Sequence, residues 1–246
     1  IRMPRRRLKT SKKARWIANL SIIIINPVLL RLVFPLFAVE AAQTAQVNGW
    51  GLLNQIEMPS IAALGIGVVL LDLVVYLQHV MFHAVPLLWR LHMMHHADLD
   101  YDLTIGLRFH PIEIAISMAL KLSVIVALGP PVVSVLAFEV ILNGMAMFNH
   151  ANIKIPRCVD TWLRRVMVTP DMHRVHHSVI IRETNSNYGF NLSLWDRLFG
   201  TYKDQPEKGH TDMVIGLAQF RDPQKLSLWH ILILPFVGDP GRVPIN

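Results

Sequence analysis

Four long apolar stretches constrain this chain more than any other feature of its sequence. They cover residues 17–39, 61–78, 112–128 and 132–148. A helix of about 20 apolar residues crosses the hydrocarbon core of a bilayer, and in lipid the backbone must satisfy its own hydrogen bonds. The hydrophobic content of 52% is also too high for an ordinary soluble protein. The sequence therefore predicts an all-α, polytopic membrane protein with four transmembrane helices.

The distribution of basic residues predicts the orientation in the membrane. Eight of the 24 Lys and Arg residues precede the first apolar stretch, whereas the loop 38–60 contains none. Because cytoplasmic segments are enriched in Lys and Arg, this loop should face away from the cytoplasm. We expect a basic cytoplasmic segment 1–16, a four-span membrane domain 17–150 and a cytoplasmic domain 151–246. The same clustering accounts for the net charge of +7 without a nucleic-acid partner.

The C-terminal region, residues 151–246, has mixed polarity and contains no further stretch long enough to cross a bilayer. We interpret it as a cytoplasmic helical cap on the membrane domain. Within it, residues 229–237 are apolar but too short to span, which is typical of a helix that lies at the membrane interface.

Histidines are concentrated in three short motifs, the histidine boxes. Box 1 has the pattern His-x3-His, and boxes 2 and 3 both have the pattern His-x2-His-His. Residues three or four positions apart lie on one face of a helix, so each box can present its imidazoles to one point. Neutral imidazole is a common metal ligand. The eight box residues are His79, His83, His92, His95, His96, His173, His176 and His177.

The boxes predict a site for two metal ions. The expected topology places all three boxes and His150 at the same, cytoplasmic edge of the membrane. One ion takes about four to six ligands, so nine histidines are too many for a single ion. Cys158 is the only cysteine, which excludes a Cys-rich zinc site and an iron–sulfur cluster held by this chain alone. The sequence also lacks the His-Glu-x-x-His and Gly-x-Ser-x-Gly motifs of zinc proteases and serine hydrolases.

Segments around the boxes carry a more specific signal. They are Leu88-Trp89-Arg90, Arg108-Phe109-His110-Pro111-Ile112-Glu113, Asn149-His150-Ala151-Asn152-Ile153, Thr169-Pro170, Asn185-Ser186-Asn187-Tyr188-Gly189 and the run from Leu194 to Tyr202. Together with the boxes, these segments resemble the fatty acid hydroxylase/sterol desaturase superfamily of membrane-bound histidine-box oxygenases. The resemblance covers roughly residues 70–202.

The resemblance implies a non-haem di-iron centre that uses O2 and two electrons to hydroxylate or desaturate a C–H bond of a sterol, fatty acyl or related lipid. It implies that the eight box histidines are metal ligands and that His150 matches a further histidine near the metals. Asn152 and Asn185 are weaker polar candidates. The lipid would enter from the bilayer, and an external donor such as cytochrome b5, a ferredoxin or a reductase would supply the electrons. Zinc could occupy the site in purified protein.

Two other functions are compatible with the sequence. A metal transporter would also combine histidines with several spans, but its ligands should lie near the middle of the membrane. A zinc-dependent membrane hydrolase is an alternative because imidazole binds zinc well. Catalysis with O2 and a reductant would distinguish an oxygenase from both.

Residues outside the boxes have expected supporting roles. Two divalent ions held by neutral imidazoles leave a charge of about +4, which acidic side chains should balance. The candidates are Asp72, Asp171 and Glu183. We expect a solvated turn at Asp98, Asp100 and Asp102, a structural role for His110, and surface positions for His210 and His230.

Two further patterns predict contacts between the spans. Lys121 lies nine residues before Pro130 and Glu139 lies nine residues after it, so the two meet at one depth in an antiparallel helical hairpin. A charge in the membrane interior costs at least about 2.5 to 3.5 kcal/mol, so we expect an ion pair. Gly65 and Gly67 lie inside the second apolar stretch and indicate close packing of helices.

The expected topology can be tested by labelling cysteines with an impermeant thiol reagent. In a Cys158→Ser background, Gln46→Cys and Glu207→Cys should react from opposite sides of the membrane, because three spans separate the loop 38–60 from a cytoplasmic C-terminal region. Reaction of both cysteines from the same side would contradict this arrangement.

Overall fold

The four apolar stretches form helices in the computed structural model, which describes residues 4–241. The helices of the first part of the chain are α1 (Lys12–Val33), α2 (Ala38–Val47), α3 (Ser60–Ala84), α4 (Pro86–His96), α5 (Pro111–Leu128) and α6 (Val132–Asn149). Four segments are long and apolar enough to cross a membrane: α1 with the short helices that follow it, α3, α5 and α6. The described residues contain no strand, so the predicted all-α fold is confirmed.

The segment expected as a loop at 38–60 is largely helical instead. Helix α1 ends at Val33 because Pro35 favours an extended conformation at Phe34 and cannot donate a backbone hydrogen bond. Helix α2 then packs its alanine face against α5 and α6, with Ala41 and Ala42 buried in the cluster that contains Ile125 and Phe138. The sequence did not reveal this packing, because α2 contains several polar residues and only small alanines form its buried face.

Close packing of α3 and α6 depends on one of the two predicted glycines. A Cβ atom at Gly67 would lie 2.8 Å from the Cβ of Ser134 on α6, whereas Gly65 has open space around it. The close approach at Gly67 joins α3 and α6 near their N-terminal ends. From there the two helices run to the histidine cluster, with His83 in the last turn of α3 and His150 at the C-cap of α6.

The predicted ion pair between α5 and α6 is confirmed. The Lys121 ammonium donates to the Glu139 carboxylate at 2.6 Å, and both side chains are partly exposed. The turn between the two helices begins at Gly129, which caps α5 in the left-handed conformation with a φ of 63°. Because the turn is this tight, residues equally distant from it fall opposite each other.

A buried ionic network connects α1 to the end of box 2. Arg15 binds Asp98 with two nitrogens, at 2.6 and 3.0 Å, and reaches Asp102 at 2.8 Å. Arg108 also donates to Asp98, at 3.1 Å. The expectation of a solvated turn at these aspartates was wrong, because guanidinium groups from distant parts of the chain cover them.

The third aspartate of this turn holds the N-terminal segment. Asp100 is buried and accepts hydrogen bonds from the backbone N–H groups of Lys9 and Thr10 and from the Thr10 hydroxyl. The backbone N–H of Arg5 donates to the carbonyl oxygen of Asn152. The Asn152 side chain accepts from the backbone N–H of Arg6 and donates to the carbonyl oxygen of Arg6. The basic segment is therefore docked onto the residues that follow α4 and α6.

Short helices form the region that follows α6. They are α7 (Arg157–Leu163), α8 (Pro170–His176), α9 (Ile181–Thr184), α10 (Leu194–Leu198), α11 (Gly209–Asp212) and α12 (Leu228–Val237). Helix α12 contains the apolar stretch 229–237 and packs against α1 and α4. Arg90 fastens the end of α12 by donating to the carbonyl oxygens of Pro235 and Gly238. Trp229 and Phe236 of α12 are exposed. Their exposure is compatible with a position at the membrane interface, which stays a prediction.

Removing one partner from the ionic network should be strongly destabilising. Arg15→Met leaves Asp98 and Asp102 buried without one of their cations, so we expect a loss of about 3 to 5 kcal/mol in unfolding free energy. Thermal unfolding in detergent measures the effect. Lys13→Met, which changes an exposed basic residue two positions away, serves as the control. Equal melting temperatures for the two variants would contradict the role of the network.

Candidate metal centre

Four helices bring the histidines together in one interior region. Box 1 occupies the last turns of α3, box 2 forms the C-terminal half of α4, and box 3 lies on α8 and its C-cap. His150 caps the end of α6. Pro86 and Pro170 each occupy the first turn of their helices, where a missing N–H is harmless, and the Thr169 hydroxyl accepts the N–H of Met172 as an N-cap.

All nine histidines predicted as ligands are buried and fall into two groups. The first group brings together His79, His83, His92, His96 and His176, and the second group brings together His95, His150, His173 and His177. Within each group the candidate ligand atoms all lie within 4.8 Å of one another. The arrangement therefore offers two adjacent sites, as the number of histidines predicted.

Boxes 2 and 3 each contribute to both groups. His92 and His96 are four residues apart and face the first group, while His95 points to the second. On α8, His173 faces the second group. Adjacent histidines in a box thus fall into different groups, which a single spaced pair could not achieve.

The second group is centred on the imidazole of His150. Its Nε2 atom lies 3.3 Å from His95 Nε2, 3.2 Å from His173 Nε2 and 3.2 Å from His177 Nε2. Burial lowers the pKa of His150 to about 4 and that of His176 to about 3. Burial likewise depresses the pKa of His95, His96, His173 and His177, so lone pairs of neutral imidazoles converge here.

The unpaired ring nitrogens fit metal ligands better than a hydrogen-bonded core. Within the described part of the chain, several buried ring nitrogens have no hydrogen-bond partner, and native proteins rarely tolerate this. They belong to His83, His95, His96, His173 and His176 in the cluster and to His210 outside it. A cation bound in the cluster would use one lone pair of each surrounding imidazole, because imidazole nitrogen suits zinc, iron, copper and nickel.

Backbone carbonyls orient three of the imidazoles. Nδ1 of His79 lies 2.8 Å from the carbonyl oxygen of Tyr188, and Nδ1 of His176 lies 2.8 Å from that of Ser186. His150 makes the same contact with Ala146, at 2.7 Å. Since a carbonyl only accepts, each Nδ1 carries the hydrogen and each Nε2 keeps its lone pair for the centre of the cluster.

One carboxylate contacts the cluster directly, and sequence reasoning missed its role. Glu113 Oε1 lies 2.6 Å from Nδ1 of His92, and both side chains are buried. A carboxylate on the far nitrogen of a ligand increases the basicity of that ligand and brings negative charge close to a bound cation. The signal was present in the Arg-Phe-His-Pro-Ile-Glu segment after box 2, where Pro111 starts α5 and Glu113 stands in its first turn.

The three acidic candidates chosen from the sequence have other partners within residues 4–241. Asp72 accepts from the indole of Trp195 at 2.8 Å, because it lies two helical turns, about 10 Å, from His79. Asp171 pairs with Arg174 and Arg5. Glu183 accepts from the backbone of Glu207 and faces Lys203. None of the three contacts one of the nine histidines, so that expectation was wrong.

The remaining histidines divide as follows. His110 has the structural role predicted: its Nδ1 caps α5 by accepting from Ile112, and its Nε2 donates to Leu232. His230 is exposed, as expected. His210 is buried at 4% exposure beside Asp171, so its predicted surface position was wrong. Burial lowers the pKa of His210 to about 4 although Asp171 opposes this shift.

A cavity of about 280 Å³ leads from the spans to the cluster. It lies between α3, α5 and α6 and reaches His79, His92 and His95. Phe82, Phe138 and the aliphatic side chains of α3 line much of it. The cavity therefore offers a largely apolar space next to three of the histidines.

Sequence comparison agrees with this geometry. The family model described as fatty acid hydroxylase matches residues 64–201, which is more than half of the chain. The chain belongs to the fatty acid hydroxylase family. The match contains all nine histidines and Glu113, and with the four candidate spans it marks this family member as a polytopic membrane protein. No solved structure shows significant similarity to the chain.

Curated relatives of this family member carry names of lipid-oxidising enzymes. An ornithine lipid hydroxylase of Rhizobium tropici is 31% identical over 61% of the chain and 44% of the relative. Alkylglycerol monooxygenases of Xenopus tropicalis and Homo sapiens are 30% and 28% identical, each over 68% of the chain and 36% of the relative. The chain thus spans less than half the length of these curated relatives.

The contact between Glu113 and His92 should influence metal binding. Glu113→Ala removes the acceptor for Nδ1 of His92, so we expect the affinity for added Zn²⁺ to fall by about 10- to 100-fold. Competition with a chelator on purified protein measures this change, and Glu57→Ala, at an exposed carboxylate, is the matched control. Equal zinc affinities for the two variants would show that Glu113 does not support the site.

Proposed function

We propose that this chain is an O2-dependent lipid oxygenase with a histidine-held di-iron centre. The observation that carries the proposal is the meeting of two structures: an apolar cavity between the spans, and two groups of buried neutral imidazoles at its end. The reaction would be hydroxylation or desaturation of a C–H bond in a lipid that enters from the bilayer. Zinc could replace iron in purified protein.

The chain's own side chains would hold the metals and keep their surroundings dry. His79, His83, His92, His96 and His176 would hold one ion and the second group the other. Bound iron supplies the oxidising power that an unactivated C–H bond requires, which side chains cannot provide as acids or bases. The carboxylate of Glu113 balances part of the positive charge, and the carbonyl oxygens of Ser186 and Tyr188 keep the imidazoles in register.

The cavity walls would place the substrate. Phe82 and Phe138 offer apolar contact to an alkyl or sterol skeleton and exclude water from the space next to His92 and His95. Exclusion of water protects a strongly oxidising centre from unproductive reactions. The names of the relatives, an ornithine lipid hydroxylase and alkylglycerol monooxygenases, support an amphipathic lipid as the substrate class.

Electrons would come from an external partner on the cytoplasmic side, such as cytochrome b5, a ferredoxin or a reductase. The positive charge of the N-terminal segment supports a cytoplasmic site, since that segment is docked beside α4 and α6 at the histidine end of the spans. The position of all nine histidines at this one end also argues against a transporter, which needs ligands along a path through the membrane.

Single substitutions in the two histidine groups test the proposal. His176→Ala opens the first group and His95→Ala opens the second, so each variant should lose at least one metal ion per chain and all turnover. Metal analysis of the purified protein measures the first effect. Mass spectrometry of membrane lipids, labelled with ¹⁸O2 in cells that express each variant, measures the second.

His230→Ala is the matched control because His230 is exposed and pairs with Ser227 on its own helix terminus. It should retain both metal and activity. Full metal content and full activity in the His95 and His176 variants would overturn the ligand assignment. Metal retention by the wild type with no ¹⁸O incorporation and no new double bond in any lipid would instead favour the zinc hydrolase.

A further inference from the structure

One wall of the cavity carries a row of polar side chains beside the apolar Ile114 and Met118. Glu113, Ser117 and Lys121 follow one another at intervals of four residues on α5 and all line the cavity. Residues four apart lie on the same helical face, so these three side chains form a continuous polar stripe from the histidine cluster into the membrane. The facing wall, from α3 and α6, is mostly apolar.

Each member of the polar stripe has a partner on a different segment. Glu113 contacts His92, the Ser117 hydroxyl accepts from Gln78 at 2.9 Å, and Lys121 donates to Glu139 at 2.6 Å. A cavity that served a plain hydrocarbon chain would gain nothing from this stripe. Charges at this depth are costly even when paired, and polar groups retained inside a membrane usually serve function.

The ion pair at the far end of the stripe is open to a ligand. The side chains of Lys121 and Glu139 keep 18% and 26% of their exposure, and both line the cavity. An ammonium group has three hydrogens to donate and only one is directed at Glu139, whose carboxylate has further lone pairs. The pair therefore presents a donor and an acceptor side by side.

The charge of the pair indicates which chemical group it accommodates. Because Lys121 and Glu139 together are neutral, a hydroxyl can accept from the ammonium and donate to the carboxylate at once. An amide can do the same. A free carboxylate would meet repulsion from Glu139, and an amine would meet repulsion from Lys121.

The spacing along α5 sets the separation from the metal centre. Eight residues separate Glu113, which contacts His92, from Lys121, so the ion pair lies about 12 Å farther along the helix. Building on the proposed oxygenase function, we infer that Lys121 and Glu139 form a specificity site for a neutral hydroxyl or amide group. That group would sit about 12 Å from the carbon held next to the histidines.

Equilibrium binding without turnover tests the inference. The full chain, reconstituted in nanodiscs without O2 or reductant, is incubated with radiolabelled dodecanol, which is competed by dodecanol, dodecane, dodecanoate or dodecylamine at equal mole fractions in the lipid. Dodecanol should compete about tenfold better than the other three compounds, because a hydrogen bond to a charged group stabilises its complex. Equal or better competition by dodecane or dodecanoate would overturn the inference.

A double variant locates the effect. Lys121→Met combined with Glu139→Gln should weaken dodecanol binding by about tenfold or more and leave dodecane unaffected. The control is Lys203→Met with Glu207→Gln, which removes a partly exposed Lys–Glu pair outside the spans and should change neither ligand. Unchanged dodecanol binding in the Lys121 and Glu139 variant would mean that this pair only joins α5 to α6.

Failure here is distinguishable from failure of the oxygenase proposal. The binding assay requires no metal-dependent turnover, and the wild-type comparison stands even if the double variant does not fold. A preference for dodecanol with no lipid oxidation would preserve the specificity site and refute the oxygenase. Lipid oxidation with no preference for dodecanol would support the oxygenase proposal and refute the specificity site.

Discussion

Nine buried imidazoles that share one interior impose the main constraint on this structure. Lone pairs aimed at a common centre repel one another unless a cation sits between them, and four of the rings cannot turn away without losing the hydrogen bond of their Nδ1 atom. Hydrogen-bonding groups around the cluster fix the orientation of four of these rings. The carbonyl oxygens of Ser186, Tyr188 and Ala146 and the carboxylate of Glu113 each hold one Nδ1 hydrogen, which leaves Nε2 directed inward.

The scaffold around the cluster relies on charged groups where an ordinary core would use apolar ones. Arg15 and Arg108 enclose Asp98 directly after box 2, and Asp196 accepts the N–H groups of Tyr188 and Gly189 in the loop that supplies two orienting carbonyls. Such buried pairs add little net stability but make any other arrangement expensive. Their value lies in a single defined geometry for the segments that carry histidines.

The cavity between the spans likewise combines apolar side chains with polar ones. Its apolar wall matches a lipid chain, while the stripe on α5 that ends at Lys121 places hydrogen-bonding groups at a depth where they are costly. The cavity therefore lies among helices long and apolar enough to cross a membrane, and it ends at histidines that α4 and α8 also supply. The proposed function would let a lipid and the electrons of a water-soluble carrier reach one centre by separate routes.

Local pattern in the sequence determined much of this protein. Hydropathy specified the spans, the spacing of the boxes specified the convergence of the histidines within each box, and symmetry about Pro130 specified the contact of Lys121 with Glu139. These features depend on helical periodicity and on a tight turn, which neighbouring residues encode. Only the tertiary structure decided which partner each polar group received. Glu113 instead of Asp72 met a histidine, and arginines distant in sequence buried Asp98, because such contacts depend on how helices pack and not on the period within any one of them.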